Sequence, residues 1–258
     1  MSSGTDALIR LWCDEPHDAP TNMATDAAAF ERVQQGLRGT RVRLFTFAPA
    51  GITVGHSQDP ERELDLEKCR ALGLRWAVRP TGGRAIWHDE EWTFSLLTTL
   101  GSDGWAESPS AAYERTGSWL ASALRTLGVP VELAPGSPRG VGSPREREGA
   151  APPCFASTAR HELVIEGHKF AGIAQRVRRG VLLQQGSLLL GASHARLAEV
   201  ARVPEGTRDG LRARILAEAT PAGPWIGADH RLERLADALL VNLPGVMRAS
   251  SREDWLAP

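Results

Sequence analysis

Cys154 and Lys169 are the two residues whose types and spacing best suggest an activated nucleophile. The chain has thirty basic residues, of which only Lys68 and Lys169 are lysines. Arginine stays protonated at any working pH, whereas a buried lysine can shift its pKa and exchange a proton. Lys169 follows Cys154 by fifteen positions, and a cation beside a thiol lowers the thiol pKa from about 8.5 toward neutrality. A hairpin that joins them would activate the thiol. The alternatives are a small buried apolar cysteine and a structural lysine such as Lys68.

A turn with two consecutive glycines is the second candidate for chemistry. Residues 79–89 read RPTGGRAIWHD, and the glycines would let the backbone approach a ligand and direct N–H groups at an oxygen or phosphate. The two flanking arginines could hold an anion. The candidate ligand-binding residues are Arg79, Thr81, Gly82, Gly83, Arg84 and His88. The alternative is a tight hairpin that needs glycine only for its positive φ.

Small residues mark two predicted strands that could lie against a ligand. Gly172 and Ala174 alternate with larger residues in the strand 169–175, which would leave one face shallow. Gly186 interrupts the apolar strand 181–190 and indicates either a bulge or a close approach of another backbone. The alternative for the first strand is packing against a helix through its small residues.

The order of predicted strands and helices indicates an α+β fold with mixed, largely antiparallel β-sheets flanked by helices. These elements must position the candidate residues. Strands cluster in the middle of the chain, and amphipathic helices are predicted over 21–30, 61–72, 108–127, 194–200, 207–219 and 232–240. We predict one domain over 1–258, with a helical C-terminal part over 192–258. The Gly-, Pro- and Arg-rich segment 136–153 is predicted to be a mobile loop, with an interdomain linker as the alternative.

Composition excludes several classes of function. The net charge of −1 argues against a broad nucleic-acid-binding surface. No apolar run approaches the roughly 18 residues needed to span a membrane, and the first residues lack the basic start and apolar stretch of a secretory signal. The three cysteines are far apart in the chain, so they give neither a disulfide framework nor a CxxC metal-binding motif. We therefore expect a cytoplasmic protein with no metal site.

Four segments, in this order, resemble the biotin/lipoate A/B protein ligase superfamily. They are NMATD at 22–26, RPTGGRAIWHD at 79–89, ELVIEGHKFAGIAQ at 162–175 and QGSLL at 185–189. Within that superfamily, Cys154 ahead of the lysine strand is similar to the LipM-type octanoyltransferases. Two positions depart from the pattern, because Val78 and Gln185 stand where the family usually has arginine and histidine.

The resemblance implies an octanoyltransferase. Cys154 would take the octanoyl group from acyl carrier protein as a thioester, and Lys169 would lower the thiol pKa. The acceptor would be a lysine of a lipoyl-domain protein, either the glycine cleavage H protein or a dehydrogenase E2 subunit. No cofactor would be needed, because the thioester is already activated. A docking face for acidic partners would consist of Arg139, Arg145, Arg147, Arg176, Arg178 and Arg179, unless these are simply solvated.

Three alternatives stay open at this point. The first is an ATP-dependent lipoate or biotin ligase, which needs no cysteine. The second is an amidotransferase that moves octanoate between lipoyl proteins. The third is a non-catalytic protein that retains an acyl-binding pocket.

Overall fold

The computed structural model describes residues 9–134, 162–204 and 206–258. Cys154 and the predicted loop 136–153 lie outside these ranges. Within them the strands are β1 (Ile9–Cys13), β2 (Thr40–Phe45), β3 (Gly51–Val54), β4 (Arg75–Val78), β5 (Ile86–His88), β6 (Glu91–Thr99), β7 (Glu132–Leu133), β8 (Leu163–Ile165), β9 (His168–Lys169), β10 (Ala171–Arg178), β11 (Val181–Leu189) and β12 (Val246–Arg248).

Helices separate and cover these strands. The described helices are α1 (Ala19–Gln34), α2 (Pro60–Glu63), α3 (Leu66–Ala71), α4 (Pro109–Thr126), α5 (Leu197–Val200), α6 (Arg208–Glu218), α7 (Gly223–Ile226), α8 (Leu232–Val241) and α9 (Arg252–Trp255), with a 3₁₀ turn at Ser193–Arg196. No helix in the described ranges is long and apolar enough to cross a membrane.

The main sheet has six strands in the order β10-β11-β6-β2-β1-β12. Strand β1 runs parallel to both β2 and β12, and the other neighbours are antiparallel. Strand β11 is paired along its whole length with β6 on one side and nearly so with β10 on the other. The α+β fold with a largely antiparallel sheet is therefore confirmed.

The main sheet is covered on both faces, which explains the apolar runs in its central strands. Leu96 and Leu182 belong to the core that contains residues of α4 and α8. Their chain neighbours Leu97 and Leu183 belong to a separate core with Phe30 of α1. Because successive side chains point to opposite faces of a strand, a strand buried on both faces reads as continuous apolar sequence rather than as an alternation.

Two small sheets flank the main one. The first has the order β4-β3-β5, and the second has the order β7-β8-β9. In the second, β8 and β9 form a hairpin in which Val164 lies opposite Lys169. The chain then passes through buried Phe170 into β10 of the main sheet. The predicted strand 169–175 is thus divided at Phe170, and Lys169 lies where the two sheets meet.

Three sequence-based predictions of local structure are wrong. The helix 61–72 is divided into α2 and α3, because Leu64 leaves the helical conformation and pairs with Ala201 while Asp65 caps α3. Gly186 makes no bulge, since β11 continues through it in register. The C-terminal part, expected to be helical, also contributes β12, a strand of only three residues and too short to show a periodicity.

The last residues of the chain are attached to the main sheet by two arginines. Arg41 of β2 is 1% exposed, and its guanidinium donates to the carbonyl oxygens of Trp255, at 3.0 Å, and of Ala257, at 2.6 Å. Arg10 of β1 pairs with Asp254 at 3.1 Å. Burial, the first cause, and neighbouring Arg10 lower the pKa of Arg41 to about 10.

Candidate functional site

A cavity of about 230 Å³ lies where the three sheets meet. The main sheet contributes residues of β2, β6, β10 and β11, and the two small sheets contribute residues of β3, β5 and β9. Eight of the predicted site residues line it, namely Arg79, Gly83, Arg84, His88, Lys169, Gly172, Ala174 and Gly186. The structure therefore brings the glycine turn, the lysine strand and the small-residue strands to one place.

Apolar side chains form much of the wall of this cavity. Met23 of α1, Phe45 at the end of β2, Phe47, Ile86 of β5 and Ile173 of β10 all line it. An acyl chain buried there would gain about 0.8 kcal/mol for each methylene removed from water. The cavity thus suits a ligand with an aliphatic part.

The Phe94 ring leaves no room for a side chain at position 186, which is therefore a glycine. A Cβ built on it would lie 2.3 Å from Cε1 of Phe94 and 3.2 Å from the carbonyl oxygen of Gly172. The sequence indicated a bulge or the close approach of another backbone; the structure shows no bulge, and the nearest approach is by the Phe94 ring, with the Gly172 backbone farther away. Any larger residue at this position would displace the Phe94 ring or the adjacent strand.

Arg79 holds the glycine turn in shape. It is 3% exposed and donates from Nε and Nη2 to the carbonyl of Gly82, at 3.0 and 2.7 Å, and from Nη2 to that of Arg84, at 2.8 Å. Gly83 in this turn has φ 95°, a conformation that favours glycine. Direct contact of Arg79 with a substrate remains a prediction, whereas its contacts with the turn are a feature of the fold.

A buried network connects three of the four sequence segments. Thr81 donates to Oε1 of Gln185 at 2.7 Å, and Nε2 of Gln185 donates to Asp26 at 2.6 Å. Asp26 also pairs with Arg43 at 2.9 Å and accepts from Ser95 at 3.0 Å. Gln185 therefore joins the glycine turn to Asp26 of α1 through its neutral side-chain amide. Thr81 is buried and acts here as a structural link, and Gly82 contributes its carbonyl to Arg79.

His88 lies in the cavity wall with both ring nitrogens engaged. Nδ1 is 2.7 Å from Glu91 Oε1, and Nε2 is 2.7 Å from Thr53 Oγ1. Phe47 stacks on the ring with centroids 4.0 Å apart. Arg79 also donates to Thr53 Oγ1 at 3.2 Å, so the histidine and the glycine turn share this threonine. Glu91 was missed from sequence, since nothing local marks it as the partner of His88.

Lys169 forms a buried ion pair with Glu162. Its Nζ lies 2.9 Å from Glu162 Oε1, and the two residues are 4% and 5% exposed. Both line the cavity. Sequence reasoning treated Glu162 only as the start of a strand. The available signal was the two-residue period, which puts Glu162 on the same face as Val164, the residue opposite Lys169.

The C-terminal part holds the backbone of Lys169 from the other side. Lys169 forms a β-bridge with Ala219, and the N–H of Thr220 donates to the Lys169 carbonyl at 3.0 Å. The backbone N–H of neighbouring Phe170 donates to Leu163 at 3.0 Å. The ammonium is therefore carried on a segment fixed by three elements, which favours a defined geometry.

Comparison with known proteins gives consistent matches over most of the chain. The model of the lipoyl protein ligase A/B catalytic domain matches residues 18–241. An octanoyltransferase LipM from Kyrpidia tusciae is 33% identical over 91% of this chain and 89% of that protein. A second, from Moorella thermoacetica, is 34% identical over 84% of this chain and 76% of its own length.

Solved structures show the same fold at low sequence identity. A bi-partite lipoate protein ligase from Thermoplasma acidophilum has a TM-score of 0.69 at 20% identity and covers 96% of this chain and 90% of its own. A lipoate-protein ligase A bound with ATP has a TM-score of 0.66, also at 20% identity, with coverages of 96% and 92%. These two similarities concern the fold alone.

Proposed function

Because the chain belongs to the lipoyl protein ligase A/B catalytic-domain family, we propose that it transfers an octanoyl group to a lipoyl-domain lysine through a thioester on Cys154. Octanoyl transfer in protein lipoylation is the activity that its relatives support. The observation that carries the mechanism is the buried Lys169 ammonium in the wall of an apolar cavity. A cation in that position is suited to stabilising a thiolate.

The reaction proceeds in two balanced steps. The Cys154 thiolate attacks the thioester carbonyl of the octanoyl donor, and the donor thiol leaves as a thiolate that takes up a proton. The amine of the acceptor lysine then attacks the acyl-Cys154 carbonyl, which forms an amide and returns the Cys154 thiolate. The Lys169 ammonium stabilises the thiolate in both steps. The donor thiolate takes its proton from solvent, and the proton lost by the acceptor amine passes to solvent, either directly or by exchange through Lys169, which releases one proton as it takes up another. Backbone N–H groups near Gly83 or Gly172 stabilise the tetrahedral oxyanion, each worth about 3 kcal/mol.

The cavity supplies binding energy for the acyl chain. Six buried methylenes give about 5 kcal/mol at the usual increment. That gain distinguishes an eight-carbon chain from much shorter acids.

The donor is an octanoyl-acyl carrier protein, and the acceptor is a lipoyl domain of the H-protein or E2 type. A second cleft, of about 500 Å³, supports docking of acidic partners. It is lined by Arg176 and Arg178 of β10 and by Arg179 in the turn that follows, and it shares Arg79 with the reaction cavity. Arg176 donates to the carbonyl of Pro80 at 3.0 Å, so this cleft borders the glycine turn.

The test is intact mass spectrometry of the protein after incubation with octanoyl-acyl carrier protein. We expect one octanoyl group that hydroxylamine removes, and no such group on Cys154→Ala. Cys13→Ala and Cys69→Ala are matched controls, because burial, the first cause, raises the pKa of both thiols and makes them poor nucleophiles. These two variants should form the adduct normally.

Two results would count against the proposal. An undiminished adduct on Cys154→Ala would place the acyl group elsewhere. Pyrophosphate exchange that depends on lipoate and survives Cys154→Ala would indicate an ATP-dependent ligase instead. If octanoyl-H protein is a better donor than octanoyl-acyl carrier protein, the enzyme is an amidotransferase.

A further inference from the structure

Glu162 and Lys169 form an ion pair in a cavity whose other charged groups are mainly cationic or already paired. Arg79 and Arg84 line the same cavity, and His88 there is paired with Glu91. On the C-terminal side, Ala219 forms the β-bridge with Lys169. The residue before it, Glu218, is paired with Arg214 at 2.8 Å. The Glu162 carboxylate accepts from Lys169 Nζ at 2.9 Å, and both residues are buried, so the carboxylate is placed to hold the ammonium.

The protonation state of Lys169 matters because the proposed intermediate is an acyl thioester. A neutral amine attacks a thioester to give an amide and a free thiol, which is the reaction intended for the acceptor lysine. Lys169 lines the cavity that would hold the acyl group, so its own neutral amine would be a competing nucleophile at very high effective concentration. The product, octanoyl-Lys169, is a stable amide, and an enzyme carrying it would be inactive.

We propose that Glu162 protects the enzyme from acylating its own Lys169 by holding that amine as the ammonium. This inference rests on the proposed Cys154 thioester and adds a positioning residue to it. It also accounts for a lysine at a site where arginine would be inert, in a chain that otherwise uses arginine almost throughout. The proton of Lys169 must be exchangeable during acyl transfer, and Glu162 limits the time that the amine spends neutral.

The first experiment compares wild type, Glu162→Gln and Glu162→Asp after incubation with octanoyl-acyl carrier protein. Wild type should carry only the hydroxylamine-labile adduct. Glu162→Gln should accumulate a hydroxylamine-resistant octanoyl group that peptide mass spectrometry maps to Lys169, increasing with pH. Glu162→Asp restores a carboxylate and should return the resistant adduct toward the wild-type level.

A second experiment does not depend on Cys154. The chain has only two lysines, so half-buried Lys68 is an internal reference for Lys169. Treatment with octanoyl N-hydroxysuccinimide ester should label Lys169 about tenfold or more faster, relative to Lys68, in Glu162→Gln than in wild type. If thermal unfolding shows that Glu162→Gln is not folded, Glu162→Ala gives the same comparison with wild type.

The outcomes separate the two proposals. An unchanged ratio of Lys169 to Lys68 labelling in the folded Glu162 variant overturns the role of Glu162. Absence of a thioester on wild-type Cys154 overturns the proposed function. The labelling ratio does not depend on Cys154 and still tests whether Glu162 protects Lys169 from acylation.

Discussion

Replacing Gly55 by alanine should displace the glycine turn of the site. Gly55 follows β3, and a Cβ built on it would lie 2.0 Å from the carbonyl oxygen of Gly83 and 3.1 Å from the carbonyl carbon of Gly82. The clashing atoms are backbone, so no side-chain rotation relieves them. Ordinary carbon–oxygen contacts begin near 3.3 Å, which requires a shift of roughly 1.3 Å. The N–H of His56 donates to the Thr81 carbonyl at 2.9 Å, so the strain falls on the same turn.

We expect two measurable effects of Gly55→Ala. Overpacking of this kind costs about 1–3 kcal/mol of unfolding free energy, measured by urea denaturation. Displacement of a binding turn by about 1 Å costs on the order of 100-fold in rate, measured as formation of the acyl-enzyme. Gly210→Ala is the matched control, because a Cβ at this exposed position in α6 meets nothing within 4 Å. It should stabilise the protein by up to about 1 kcal/mol and leave the rate unchanged. Wild-type stability together with a wild-type rate in Gly55→Ala would refute the reasoning.

Three further predictions concern the surroundings of the site. Arg43→Met leaves Asp26 without its buried cation and should lower the unfolding free energy by about 3–5 kcal/mol in urea; a loss below 1 kcal/mol would contradict it. Gly186→Ala forces the Phe94 ring aside and should cost about 1–3 kcal/mol in the same assay, whereas an unchanged midpoint would show that the ring moves freely. Burial lowers the pKa of His194 below 6.5, so the folded state binds fewer protons than the unfolded state just below that pH. Stability should therefore fall as pH drops below about 6.5, and His194→Gln should reduce that slope; an equal slope would exclude His194 as its cause.

Much of the fold could be predicted because local patterns were sufficient for it. The strands β6 and β11 were found from their apolar content, and the helix α4 from its period and the glycine that follows it. The glycine turn and the lysine strand were recognised as chemically suggestive, and the structure places their residues around one cavity. The family was inferred correctly from the order of four short segments, the fold class from the pattern of strands and helices, and the octanoyl-transfer activity from the resemblance that includes Cys154.

The remaining features depend on contacts between residues far apart in the chain. Gln185 meets Asp26 and Thr81 across 159 and 104 positions, and no periodicity encodes such pairings. Glu162 is nearer to Lys169, but its role depends on β8 and β9 forming a separate hairpin that ends at Phe170. Sequence predicted one continuous strand there, so the carboxylate was not placed beside the ammonium. The position of Cys154 relative to Lys169 stays a prediction.

The contacts of Arg41 have a practical consequence for anyone who modifies the protein. Its buried guanidinium donates to the carbonyls of Trp255 and Ala257 as well as to those of Arg38 and Gly39. Trimming the first two residues would leave a buried guanidinium without two of its acceptors, and an unsatisfied buried polar group lowers the unfolding free energy by about 1–3 kcal/mol or more. The final turn is therefore a poor place for deletion or for a fusion that pulls it away from β1 and β2.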